Sequence, residues 1–331
     1  MKRSLWRIVG PLVTILALVA LNVLLPRVVN PYHFQVLMLI GINVVLAVSL
    51  NLVNGFTGQF SIGHAGFMAV GAYASAMFTL KLGQPMVNSL HGVPLPVAQG
   101  IALLLALIAG GLLAAAAGWL VGLPSLRLRG DYLAIVTLGF GEIIRVVILN
   151  VDAIGGARGL PGIPQYSTFF WVFGAAVAVI MLARNMAHST HGRALFAIRD
   201  DEVAAEALGV DTTSYKVLAF VLGAFFAGVA GGLFAHFLSY LNPSSFTFLK
   251  SIEVIAMVVL GGMGSISGSV IAAIVLTLMP EMLRGLKDYR MVIYALMLII
   301  LMITRPQGLM GTREVSLSGL FGKRGPAKGA A

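Results

Sequence analysis

The feature that most limits how this chain can fold is its long uncharged stretches. Residues 28–80 are 53 consecutive positions without Asp, Glu, Lys or Arg, and residues 82–126 are another 45. The surface of a soluble protein must stay hydrated, and stretches of this kind cannot provide such a surface. About 20 apolar residues are enough for one helix that spans a bilayer. The chain is therefore expected to fold as an all-α, polytopic transmembrane helical bundle.

The overall composition agrees with this class and excludes several others. The 331 residues are 59% hydrophobic and 10% charged, whereas soluble domains are about 45–50% apolar and about 25% charged. The net charge of +10 is explained by Lys and Arg in the cytoplasmic loops of a membrane protein, so no nucleic-acid partner is expected. The absence of cysteine excludes disulfides, thiolate metal sites and thiol nucleophiles.

Apolar segments predict the helices and their topology. The segments are 8–25, 34–53, 59–80, 95–122, 131–151, 168–184, 217–239, 251–280 and 291–304. The first follows a basic start without a clear cleavage site, and we interpret it as a retained span rather than a signal peptide. With the N-terminus inside, the connections carry 14 basic residues on the inner side and 7 on the outer side. This bias predicts that both termini are cytoplasmic.

If all nine segments crossed, the C-terminus would lie outside, whereas the charge bias predicts that both termini are cytoplasmic. One solution is that 251–280 folds as two short limbs that meet at its glycine cluster, and the other is that 291–304 does not cross. We favour the broken hairpin, which gives about eight to ten spans with glycine-rich broken helices. Such irregular backbone is tolerated at membrane depth only where protein or a watery cavity surrounds it.

A second glycine-rich break lies early in the chain. The sequence Gly-x-x-Gly-x-x-Ser runs from Gly55 to Ser61 and again from Gly261 to Ser267. Paired interruptions of this kind are typical of repeated halves around a central transport path. Chance remains the alternative, because about one residue in eight of this chain is glycine.

Glu142 and Arg145 are charged residues that fall within a predicted span. An Arg at the centre of a bilayer costs about 2.5–3.5 kcal/mol on insertion scales, and a spacing of three residues lets the two side chains pair. They either line a polar pathway or form a structural pair near a helix end. The same alternatives hold for Glu253, where the structural role is favoured. His64 has no acid nearby in the sequence and is expected to be a hydrogen-bonded packing residue.

Motifs of enzymes are missing from the sequence. It contains no Gly-x-x-x-x-Gly-Lys-[Ser/Thr] loop, no His-Glu-x-x-His and no Gly-x-Ser-x-Gly. Each of these motifs positions a phosphate, a metal or a nucleophile. We therefore expect neither an enzyme nor a bound cofactor.

The largest connection on the inner side is 185–215, and it predicts a short helix. Asp200 or Asp201 is a good N-cap, Glu202 suits the first turn, and Gly209 suits the position after the last turn. A helix of about eight residues is about 12 Å long and is marginal alone in water, so it must dock on something. The helix either lies on the bilayer surface as a bend in the connection or docks on a cytoplasmic partner protein.

Together these motifs resemble those of the permeases of branched-chain amino-acid ABC transporters, the Liv type, and especially the M-type subunits. The resemblance covers nearly the whole chain, and the segments that carry it are Asn51–Phe67, Leu126–Arg145, Gly192–Gly209, Leu260–Gly268 and Arg305–Leu309. It implies a permease domain over 1–310. The basic tail 311–331 is not explained by it, and we expect this tail to be disordered.

The resemblance implies a subunit of an importer in the bacterial inner membrane. Its partners would be a second related permease subunit in a heterodimer, two cytoplasmic ATPase subunits and a periplasmic substrate-binding protein. The resemblance also implies that the short helix is the coupling helix, which docks on an ATPase. The coupling residues would be Arg193, Arg199, Asp200, Glu202, Ala204, Ala205, Glu206 and Gly209.

The two breaks would then be pliable segments along the substrate pathway, and their helix ends would offer amide donors to a substrate carboxylate. The pathway residues would be Asn54, Gly55, Thr57, Gly58, Gln59, Ser61, Gly63, His64, Glu142, Arg145, Gly261, Gly264 and Ser267. Within the family, an importer of urea or short amides is the alternative. An ion-coupled secondary transporter would leave the docking loop unexplained, and an intramembrane enzyme would depend on His64.

Overall fold

The computed structural model describes residues 2–89, 92–125, 131–304 and 308–311. Within these ranges the chain is a helical bundle, as predicted. Its helices before the connection 188–211 are α1 (Lys2–Val28), α2 (Pro31–Asn54), α3 (His64–Phe78), α4 (Gln84–Ser89), α5 (Leu95–Ser125), α6 (Asp131–Asn150) and α7 (Phe169–Ala187). The remaining helices are α8 (Thr190–Asp200), α9 (Glu202–Ala207), α10 (Thr212–Leu238), α11 (Phe248–Gly261), α12 (Ile266–Met282) and α13 (Arg290–Thr304).

Helix α2 is the centre of the bundle. Pro31 begins it, and the Asn30 side chain accepts a hydrogen bond from the backbone of Tyr32 at 3.0 Å, which caps the first turn. Residues 40–54 are buried without interruption, as expected of a helix that is apolar on every face. Helices α7, α10, α11 and α12 pack around it.

Helices α3, α5 and α10 form a second tightly packed group. They meet at Gly71, Gly110 and Gly228, where an added side chain would collide with the neighbouring backbone. Small residues allow this close approach in membrane helices, where packing rather than hydrophobicity holds helices together. A π-helical turn, Thr79–Gly83, joins α3 to α4, so this span continues beyond the predicted end at residue 80.

The stretch 251–280 is broken, as predicted. Helix α11 ends at Gly261 and α12 begins at Ile266, while α13 is a separate helix. In the described part of the chain, seven helical segments are long and apolar enough to cross a bilayer: Pro31–Asn54, His64–Ser89, Leu95–Ser125, Tyr132–Asn150, Phe169–Ala187, Thr212–Leu238 and Ile266–Gly285. A shorter apolar segment is Val13–Val28.

The connection between α6 and α7 contains one strand of a pair that the sequence did not predict. Strand β1 (Leu160–Pro161) pairs antiparallel with β2 (Tyr240–Leu241), which follows α10. The Tyr240 hydroxyl also donates a hydrogen bond to the Arg158 carbonyl at 2.8 Å. This small ribbon fastens two connections at the same end of the bundle.

The connection between α7 and α10 folds as two short helices, α8 and α9. Asp201, rather than Asp200, caps α9, since its carboxylate accepts a hydrogen bond from the Ala204 backbone at 3.0 Å. Gly209 follows α9 with a positive φ of 82°. Helix α9 has six residues, and its neighbour α8 has eleven. The stretch 126–130 and the predicted basic tail beyond Gly311 lie outside the described residues.

Candidate functional site

The two glycine-rich breaks lie against each other. The Asn51 side chain joins them, because its Oδ1 accepts a hydrogen bond from the Gly264 N–H at 2.9 Å and its Nδ2 donates one to the Ser265 carbonyl at 3.2 Å. A side chain on Gly55 would collide with the Gly264 nitrogen. We term this contact of Asn51, Gly55, Gly264 and Ser265 the glycine junction. The sequence predicted both breaks but neither their contact nor the role of Asn51.

The first break is buried and bonded internally. Thr57 donates to the Val53 carbonyl at 2.6 Å, and Asn54 Oδ1 accepts from the Ser61 N–H at 3.2 Å. Two further polar atoms, Asn54 Nδ2 and Gln59 Oε1, are buried without a hydrogen-bond partner among the described residues. Buried polar atoms of this kind are uncommon and need a functional or structural reason.

The second break is equally compact. Gly261 lies against the backbone of Gly268, where neither has space for a side chain. The Ser265 and Ser267 hydroxyl oxygens are 3.3 Å apart, and Ser265 caps α12 by accepting from the Gly268 N–H at 3.1 Å. A side chain of the break thus provides a hydrogen-bond partner for its backbone, which buried irregular segments require.

His64 is a buried packing residue, as predicted. Its Nε2 lies 2.9 Å from the Ser49 hydroxyl oxygen, and Ser49 in turn donates to the Leu46 carbonyl at 2.9 Å. These contacts hold the start of α3 against α2. Gly63, one residue earlier, packs on the Thr137 carbonyl of α6.

Helix α8, which follows α7, contacts the glycine junction. The Arg199 Nη1 donates a long hydrogen bond of 3.4 Å to the Gly55 carbonyl. Its guanidinium lies 5.0 Å from the centre of the Phe196 ring, and that ring lies 5.0 Å from the ring of Phe56. A side chain on Gly58 would lie 3.0 Å from Arg199. The sequence assigned Arg199 to coupling but missed both phenylalanines, which only the three-dimensional contact reveals.

Helix α9 turns its acidic residues toward α10. Glu202 forms an ion pair of 2.5 Å with Lys216, whose side chain is 5% exposed, and Glu206 accepts a hydrogen bond from Thr212 at 2.8 Å. Val203 of α9 is 62% exposed and Leu208, the residue after α9, is 84% exposed, while Glu206 is exposed as well. Three other predicted coupling residues, Arg193, Ala204 and Gly209, are exposed, while Ala205 is buried.

Two of the predicted pathway residues, Glu142 and Arg145, lie on α6. Glu142 and Arg145 pair on α6 at 2.7 Å, with 37% and 28% of their side chains exposed. Glu142 lines a small recess together with Gly66 and Ser251, and the Ser251 hydroxyl accepts a hydrogen bond from the Ala65 N–H at 3.1 Å. The recess is also lined by Ile62 and Ala65 next to the first break, and a pathway role of these residues stays a prediction.

A further polar network joins α2, α11 and α12. Lys250 pairs with Glu253 at 3.0 Å and donates to Asn43 Oδ1 at 3.1 Å, and Asn43 donates to Thr277 at 2.9 Å. Glu253 is thus part of a structural network, as favoured from the sequence. Among the described residues, no three His, Asp or Glu side chains come together as a metal site would require.

Comparisons with known proteins identify the family. Residues 32–302 match the family model described as branched-chain amino acid transport system / permease component. The high-affinity branched-chain amino acid transport system permease protein LivM of Escherichia coli K12 is 36% identical over 350 residues, which cover 95% of this chain and 78% of the relative. LivH of Salmonella typhimurium is 25% identical, over 82% of this chain and 91% of its own length.

An archaeal relative, the probable branched-chain amino acid transport permease protein LivM of Methanocaldococcus jannaschii, is 26% identical over 71% of this chain and 76% of its own length. No solved structure matches the chain. The relatives are transport proteins and not enzymes. The chain is a multi-pass membrane protein that belongs to the family of permease components of branched-chain amino acid transport systems.

Proposed function

We propose that this chain is the M-type membrane subunit of an ATP-driven importer of branched-chain amino acids in the bacterial inner membrane. The observation that supports the ATP-driven part is the exposure of two large apolar side chains, Val203 in α9 and Leu208 directly after it. The aliphatic substrate class rests on the relatives, whose names refer to branched-chain amino acid transport.

The α9 surface fits a protein partner rather than lipid. Val203 and Leu208 are largely exposed, while Glu202 and Glu206 are engaged with α10. The adjoining residues Asp200 and Asp201 are charged and exposed, so this segment lies in water. Apolar side chains exposed to water in a group are typical of protein interfaces. An ATPase subunit in the cytoplasm is the partner that we assign to it.

The proposed topology has ten crossings with both termini in the cytoplasm. Helices α11 and α12 each cross, and α1 and α13 are the first and last spans. The glycine junction then lies near the cytoplasmic end of the bundle, beside α8. The β1–β2 ribbon lies at the periplasmic end, where the substrate-binding protein delivers its ligand.

The second permease subunit packs, in this proposal, on α6. Helix α6 is the least buried of the seven candidate spans, and its Glu142–Arg145 pair is about one-third exposed beside the exposed Ile135 and Ile143. A charged pair in contact with lipid tails is costly, and such pairs usually face other helices or a wet cavity. The substrate pathway therefore runs between α6 and the second subunit, with Glu142 beside it.

Reconstitution of the complete complex in lipid vesicles tests the function. We expect uptake of labelled leucine to require ATP, the ATPase subunits and the loaded binding protein. Unlabelled valine and isoleucine should compete, whereas urea and acetamide should not. Uptake driven by a proton or sodium gradient without ATP, or competition by urea, would contradict the proposal.

The docking surface has a separate test. Leu208→Asp should abolish co-purification of the ATPase subunits from detergent, because a carboxylate would replace the apolar contact. Leu249→Asp is the matched control, since Leu249 is also an exposed leucine but lies in the first turn of α11, at the other end of the bundle. Equal recovery of ATPase with both variants would contradict docking at α9.

A further inference from the structure

We propose that Phe196 and Arg199 of α8 form the contact through which ATPase docking moves the two broken helices, so that Arg199 is a positioning residue that couples ATP hydrolysis to transport. We term these two residues the α8 pin. The inference rests on the proposed function. It adds the side-chain contacts through which movement of the ATPase subunits would reach the membrane helices. The resemblance implied only that Arg199 belongs to the coupling segment, and the contacts of Arg199 add the two breaks as the elements that it would move.

Arg199 meets the end of α2 at a point that favours a cation. Gly55 is the C-cap of α2, and its carbonyl accepts from Arg199 Nη1 at 3.4 Å. The last carbonyls of a helix lack partners within the helix and carry partial negative charge. A guanidinium at this end therefore holds the first break through both hydrogen bonding and the helix dipole.

The same side chain fills the space next to the second break. A Cβ on Gly264 would lie 3.0 Å from Arg199 Nη1 and 3.3 Å from the Gly55 carbonyl oxygen. The backbone of Gly264 has a φ of 91°, which favours glycine. One guanidinium thus touches both breaks at the point where Asn51 joins them, and the glycines make room for it.

The Phe196 ring and the Asp200 carboxylate also contact the Arg199 guanidinium. Arg199 lies over the Phe196 ring at 5.0 Å, and Phe196 packs on Phe56 of the first break at 5.0 Å. Asp200 also fixes the guanidinium, with its Oδ1 3.1 Å from Nε and 3.0 Å from Nη2. The planar group is therefore held in one orientation by a ring and a carboxylate, which an ammonium group could not reproduce.

The pin is connected directly to the docking surface. Asp201, which ends α8, is the residue that caps α9, so only one residue separates Arg199 from that cap. Glu202 fastens α9 to α10 through the buried Lys216. Because α8, α9 and the start of α10 are joined in this way, a force on α9 is passed to Arg199 and from there to both breaks.

The test measures ATP hydrolysed per leucine transported by the reconstituted complex. Arg199→Met keeps the length of the side chain but removes its charge and donors. We expect ATPase co-purification to be unchanged and the ratio to rise about tenfold, within the range that mutations along coupled networks produce. Arg199→Lys should raise the ratio less. Arg184→Met, a change of the same type at an exposed arginine at the end of α7, should leave the ratio unchanged.

A purely structural role would lower hydrolysis and transport together and leave their ratio unaltered. A wild-type ratio in Arg199→Met would overturn the inference. Phe196→Leu is the second variant and should raise the ratio in the same direction. If neither variant assembles, the two residues act in folding and the inference is also overturned. Absence of ATP-driven uptake in the wild-type complex would instead refute the proposed function, so the two failures are distinguishable.

Discussion

Asn51 and Gly264 are 213 residues apart in the chain, and the Asn51 Oδ1 accepts a hydrogen bond of 2.9 Å from the Gly264 N–H. The same carboxamide donates to the Ser265 carbonyl. Asn51 is completely buried. A single amide therefore satisfies one donor and one acceptor of the second break, both at positions where no regular helix could do so.

Removal of this amide should destabilise the bundle. In Asn51→Leu, the Gly264 N–H and the Ser265 carbonyl lose their partner in a buried site, and each unsatisfied group costs about 1–3 kcal/mol. We expect a clearly lower melting temperature of the protein in detergent. Asn150→Ala is the control, because Asn150 is exposed and bonds only within its own helix. A melting temperature of Asn51→Leu equal to that of the control would contradict this account.

Replacement of Gly55 by alanine should prevent folding. The added methyl would overlap the Gly264 nitrogen and the Asn51 side chain, and backbone at a packed junction cannot move away cheaply. We expect little monodisperse protein in size-exclusion chromatography. Gly139→Ala, at an exposed helical glycine with open space around it, should give a normal yield and a slightly raised stability. Equal yields from both variants would argue against the close contact of the breaks.

The Glu202–Lys216 pair should respond asymmetrically to mutation. Glu202→Gln leaves the Lys216 ammonium unpaired with only 5% of its side chain exposed, and an uncompensated buried charge costs about 3–5 kcal/mol. Lys216→Met leaves a carboxylate that is 28% exposed and can reach water, so this change should cost less. Thermal unfolding in detergent measures both. The double variant should recover most of the loss, and additive losses would indicate that the two side chains do not interact.

The Glu142–Arg145 pair offers a way to separate a pathway role from a structural one. Exchange of the two charges, Glu142→Arg with Arg145→Glu, keeps an ion pair on the same face of α6. We expect normal assembly with the second permease subunit but a loss of leucine uptake of about tenfold, because the charge next to the pathway is reversed. Full uptake by the exchanged variant would favour the structural role.

Much of the bundle could be predicted because a membrane helix requires a long run of uncharged, apolar residues, which is visible in the sequence. The uncharged runs predicted the main spans, and the glycine cluster at 261–268 predicted the break between α11 and α12. Capping by Asp201 was also readable, because an N-cap depends on neighbouring residues only. The start of α3 was placed five residues early, since residues 59–63 are apolar enough to continue a span but bond as a coil.

The candidate site was less accessible to prediction. Arg199 was identified through the resemblance, but Phe196, Phe56 and Asn51 carry no local signal that separates them from other residues of apolar helices. The ATPase contact of Glu202 and Glu206 stays a prediction, and the sequence did not indicate that Glu202 pairs with Lys216 or that Glu206 bonds to Thr212. The direction of a side chain on a short helix depends on what the helix packs against.

The amino-acid sequence by itself determined that this protein is a membrane bundle, where its helices lie and where two of them break, because hydropathy and glycine content act over short distances along the chain. Only the tertiary structure decided that the two breaks meet and that one arginine contacts both. Those contacts join residues far apart in sequence, and they exist only when the packing of α2, α8, α11 and α12 brings the backbones together.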